Sequence, residues 1–64
     1  EQTVEMTSAA FDHAVGQPGV VVHEPIPGDG REYHEAPDGT VLTKDTTGEG
    51  GKARYFRSKP FRAP

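Results

Sequence analysis

The chain has no cysteine, no tryptophan and no asparagine, and it has few large apolar residues. Without cysteine there is no disulfide and no thiolate metal site, so the staples of many small folds are missing. The disulfide-rich secreted class, which includes most small inhibitors and toxins, is excluded on the same ground. Without asparagine there is no N-glycosylation acceptor. The longest apolar run is Val20-Val21-Val22. Nothing in the chain therefore approaches a membrane span or a signal-peptide core. The expectation is a chain in the cytoplasm or within an assembly, with no membrane partner.

Apolar bulk is scarce. Val, Ile, Leu and Phe together number eleven of 64 residues, about 17%. That lies below the roughly 20% at which disorder competes with folding. The net charge of −3 is small, so the other half of the disorder signature is absent. A domain of this size buries only about 60% of the surface of its unfolded chain. Such a chain either folds alone with low stability or takes its order from a partner.

What is present is polarised. Residues 1–51 form an acidic body that holds all ten acids with only Arg31 and Lys44, a charge of −8. Residues 52–64 form a basic-aromatic segment with Lys52, Arg54, Arg57, Lys59, Arg62 and no acid, a charge of +5. Such a segment is suited to a negative surface, either a partner's or that of the chain's own body.

Local signals give a small, mainly β fold with extended Pro- and Gly-rich arms. Residues 1–6 alternate loosely and read as an edge strand or an arm. Thr7 or Ser8 caps a helix over about 8–15, with Met6, Ala10, Phe11, Ala14 and Val15 on one face. Gly16 stands where a left-handed cap is expected, and Pro18 blocks continuation. A strand over about 20–24 has valines on both faces, as in strands that are covered on both sides or join an interface. Pro25 to Gly30 reads as a rigid, extended loop. Ala36-Pro37-Asp38-Gly39-Thr40 fits a type I turn with a left-handed Gly, closing a three-residue hairpin loop. In that register Glu35 faces Val41, His34 faces Leu42, Tyr33 faces Thr43, Glu32 faces Lys44 and Arg31 faces Asp45. The hairpin spans roughly 31–45. Neither of its faces is cleanly apolar, which predicts a surface ribbon rather than a core sheet. Residues 46–51 read as a Gly-rich linker, and about 53–58 as a flanking strand with Tyr55 and Phe56 on opposite faces.

The chemistry-bearing patterns are few. His13, His23 and His34 each have acids nearby, but their spacing matches no metal signature. Residues 47–53 are similar to a phosphate-binding loop, yet Thr46 replaces its first Gly and Ala53 its Mg²⁺-binding hydroxyl. Ser8 and Ser58, the only serines, lie near element ends, and the chain is too small to wall off a catalytic pocket. No enzyme activity, cofactor, metal or small-molecule substrate is expected.

The run Arg54-Tyr55-Phe56-Arg57-Ser58-Lys59-Pro60-Phe61-Arg62 interleaves cations with rings. Protein interfaces are enriched in such residues, single-stranded nucleic acid stacks and pairs on them, and a last strand would use the rings as core. The leading expectation is a structural or accessory subunit, a virion component among the candidates, that binds a larger protein or a homo- or hetero-oligomeric assembly. Its contact residues would be Val20, Val21, Val22, Arg54, Tyr55, Phe56, Arg57, Lys59, Phe61 and Arg62. The alternatives are a single-stranded nucleic-acid binder using residues 54–62 and an enzyme inhibitor presenting loop 25–30.

Overall fold

The computed structural model describes residues 2–59. The fold is mainly β, as expected: a five-stranded antiparallel sheet with a short helix on one face. The elements run β1 (Gln2–Met6), α1 (Ser8–Val15), β2 (Val21–Val22), β3 (Arg31–Glu35), β4 (Val41–Asp45) and β5 (Arg54–Lys59). Across the sheet the order is β1-β5-β4-β3-β2. The first strand is thus paired with the last, and β4 lies at the centre.

Thr7 starts the helix. Its backbone is extended, and its hydroxyl accepts from the Ala10 N–H at 3.2 Å. This satisfies a donor that a helix start leaves open. The exit differs from expectation. Gly16 is right-handed, with φ −80°. The Gln17 side-chain amide donates to the His13 carbonyl at 3.1 Å, and the Gln17 N–H donates to the Ala14 carbonyl at 3.2 Å. With the Gly16 N–H on the Asp12 carbonyl, the carbonyls of Asp12, His13 and Ala14 are satisfied without a left-handed cap. The positive φ falls instead on Gly19, at 85°. A Cβ there would meet the Pro37 ring at 2.8 Å.

The β3–β4 hairpin has the register read from its turn, from Glu35 opposite Val41 to Arg31 opposite Asp45. Ala36 and Thr40 close the loop with a 2.9 Å hydrogen bond. Gly39 takes φ 89°, and the Asp38 carboxylate accepts from the Thr40 N–H at 2.9 Å. The hairpin is not a surface ribbon, however. Strand β5 pairs along the other side of β4, so the hairpin forms the middle of the sheet.

Two other expectations are corrected. The valine strand is only Val21–Val22, because the Val20 N–H turns back to the Gln17 carbonyl. The loop from Pro25 to Gly30 is not extended. The Asp29 N–H donates to the Ile26 carbonyl at 3.0 Å, and Gly28 has φ 81°. Pro27 and Gly28 then occupy the corners of a type II turn. The Gly-rich stretch contains one 3₁₀ turn, Glu49–Gly51.

The core is small. Phe11 and Leu42 are each 4% exposed. The Phe11 ring meets His34 edge-on at 5.6 Å and Tyr55 at 4.8 Å, so one side chain anchors α1 to β3 and β5.

Candidate functional site

Side chains alternate between the faces of a strand, and opposed residues of antiparallel strands share a face. The registers therefore sort the sheet into a covered and an open side. Leu42, His34 and Tyr55 lie under the helix. On the other side the pairings align rows across the strands. One row runs Val21, Glu35, Val41, Ser58, Thr3. The next runs Tyr33, Thr43, Phe56, Glu5. The last runs Arg31, Asp45, Arg54. No described helix covers these rows.

The open side forms a groove of about 600 Å³ over Tyr33, Val41, Thr43 and Phe56. Tyr33 and Phe56 stand on strands β3 and β5, with β4 between them, so their attachment points are about 10 Å apart. Both are half-buried. Thr3 and Ser58 share a hydroxyl–hydroxyl hydrogen bond of 3.1 Å at one side.

Charged groups along the groove are paired. The Arg31 Nε donates to Asp45 at 3.2 Å and its Nη1 to Asp29 at 3.4 Å. The Tyr33 hydroxyl donates to the other Asp29 oxygen at 3.3 Å. Arg54 makes a two-pronged contact with Glu5, at 3.1 and 3.0 Å, and its guanidinium lies 5.2 Å from the Phe56 ring centre. Two parallel N–H···O bonds of this kind fix orientation as well as charge. His23 and Glu35 meet at 3.0 Å beside Val21.

These contacts shift the titration of the carboxylates. The Thr47 hydroxyl and N–H, with Arg31, hold Asp45 down to about 2. The guanidinium of Arg54 lowers Glu5, and Glu5 in turn raises Arg54. Arg31 is raised by Asp45 first and by Tyr33 second.

The structure divides the residues singled out in the sequence. Arg54, Phe56 and Val21 lie on the open face. Tyr55, Arg57, Lys59 and Val22 lie on the helix side, where the half-buried Tyr55 ring packs against Phe11. Val20 sits beneath the helix end, in a gap of about 440 Å³ shared with Ala14 and Leu42. Val21 and Val22 are 61% and 64% exposed, so neither face of their short strand is covered within the described residues. Phe61 and Arg62 lie outside the described residues. Sequence reading set Asp45 opposite Arg31 but missed Tyr33 and Val41 as groove residues, and Glu5 and Asp29 as partners of the arginines. The hairpin register placed Tyr33 beside Thr43; what it lacked was the β4–β5 pairing that sets Phe56 in the same row. The described residues contain no group of three or more metal-ligating side chains. None of their helices is long and apolar enough to cross a membrane.

No family model, curated protein or solved structure matches this chain.

Proposed function

We propose that this chain is a non-enzymatic protein-binding module that docks the uncovered face of its sheet onto a partner in a larger assembly. The observation that carries this reading is the one-sided covering of the sheet by the described residues. The helix is spent on one face, and the other presents Tyr33, Val41 and Phe56 in a groove. Rigid half-buried rings in an otherwise polar surface are the usual anchors of protein contacts.

The rim defines the partner. Glu5, Asp29, Glu35 and Asp45 surround the face with four carboxylates, against the two guanidiniums of Arg31 and Arg54. The net charge of the rim is negative, and both cations are already held. The complementary surface is an apolar knob ringed by Lys or Arg on another protein. The same pairing argues against nucleic acid, whose phosphates need free cations. It also revises the contact set: Phe56 and Val21 remain, Tyr33 and Val41 join, and Tyr55, packed on Phe11 on the helix side, leaves it.

The test is a captured partner titrated onto the ¹⁵N-labelled chain. Shift changes should centre on Tyr33, Val41 and Phe56. A Tyr33→Ser/Phe56→Ser variant should lose roughly tenfold or more in affinity, since two interface anchors are removed. Changes confined to the helix side, or equal affinity in the variant, would overturn the assignment. Binding to single-stranded oligonucleotide with a steep salt dependence would favour the nucleic-acid alternative instead.

A further inference from the structure

We infer that β1 is a self-pairing edge, through which two copies of the chain join their sheets about a two-fold axis at Val4. The backbone polarity of the sheet can be followed strand by strand. Ala36 donates to Thr40 at 2.9 Å and Thr46 to Gly30 at 3.1 Å, which fixes the hydrogen-bonded positions of the hairpin. In an antiparallel ladder such positions alternate. Val41, Thr43 and Asp45 therefore turn their backbone groups to β5, and Arg57 turns its own to Val4 of β1. Thr3 and Glu5 are left with N–H and C=O directed away from the sheet. Among the described residues no strand pairs with them, and β1 has no proline and no lysine to block pairing.

That edge is complementary to itself. With Val4 opposite Val4 of a second copy, Thr3 falls opposite Glu5 of the second copy, and each such pair exchanges both of its N–H···O bonds. Like charges do not meet, and each Glu5 carboxylate is already held by Arg54. Val4, 47% exposed in the single chain, is covered by its symmetry mate. The helix packs over β4 and β5 and leaves β1 accessible. The opposite edge lacks these features: β2 has two residues, between Pro18 and Pro25. The joined sheet is isologous and closed, as a two-fold contact must be.

Sedimentation of the full chain from micromolar to millimolar concentration is the first measurement, and a concentration-dependent dimer is expected. Thr3→Pro removes an outward N–H and the exposed hydroxyl bond to Ser58 but no ladder hydrogen bond, so the monomer keeps its internal ladder while self-association falls by about tenfold or more. The chain has no cysteine, so Val4→Cys gives a single reporter. Opposed residues at such a site have Cα atoms about 4.5 Å apart, within disulfide reach. Oxidation should cross-link Val4→Cys much faster than Val22→Cys, and this readout stands if Thr3→Pro fails to fold. A wild-type monomer throughout, or cross-linking at position 22 equal to that at position 4, would overturn the inference.

Discussion

Asp45 ends β4 and serves two neighbours at once. It accepts from the hydroxyl and N–H of Thr47 and pairs with Arg31 across the hairpin. Its folded pKa is about 2, below the ordinary aspartate value of 3.8. The unfolded chain therefore takes up the proton first as pH falls. Stability from these contacts is complete above the ordinary value and is lost as pH drops toward the folded one. Glu5, lowered by Arg54, and Asp38, lowered by the Thr40 N–H, act in the same direction. Thermal melts should show the melting temperature falling between about pH 4 and pH 2, and Asp45→Asn should flatten that fall. Parallel curves for the two proteins would refute the role given to Asp45. Residue types alone foretold part of this. The Arg31–Asp45 pair followed from the turn, because the two are close in sequence and the hairpin loop fixes their register. The Glu5–Arg54 clamp had no such signal, since it joins residues 49 positions apart. Tyr55 and Phe56 were correctly set on opposite faces, yet only the position of α1 decides which of the two packs against the helix.

At the scale of elements, the turn chemistry of the β3–β4 hairpin was the clearest signal. Pro37 presets one corner, the Asp38 side chain closes on Thr40, and Gly39 supplies a φ that other residues adopt at a cost. Gly39→Ala should therefore destabilise the fold by about 1–2 kcal/mol. Chemical denaturation measures this, and an unchanged midpoint would contradict the turn assignment. The helix was equally legible, because Thr7 caps it and Phe11 marks its inner side. Its exit was not. The sequence has glycines at 16 and 19, and the choice between them depends on where Gln17 places its amide. The hairpin's place in the sheet was also hidden. Its mixed faces suggested an isolated ribbon, whereas β5 and α1, remote in sequence, make it the centre.

For the whole molecule, cohesion rests on very few side chains. A domain of 64 residues is stable by roughly 3–10 kcal/mol. Replacing a buried Phe by Ala costs about 3–5 kcal/mol. Phe11 holds the helix to the sheet, so Phe11→Ala should remove about a third or more of that stability and strip the native signal from a substantial share of the chains on mild warming. Far-UV circular dichroism and amide dispersion report this directly, and a native spectrum would show that the sheet does not need its helix. The order of the strands has a consequence during synthesis. Strand β1 leaves the ribosome before the other four strands, and its partner β5 leaves after them. Until residue 54 emerges, β1 has no strand beside it and the hairpin presents β4 bare on one side. Exposed edges on a nascent chain invite pairing with other chains. Shelter comes only with β5, which also carries three of the chain's seven Lys and Arg residues.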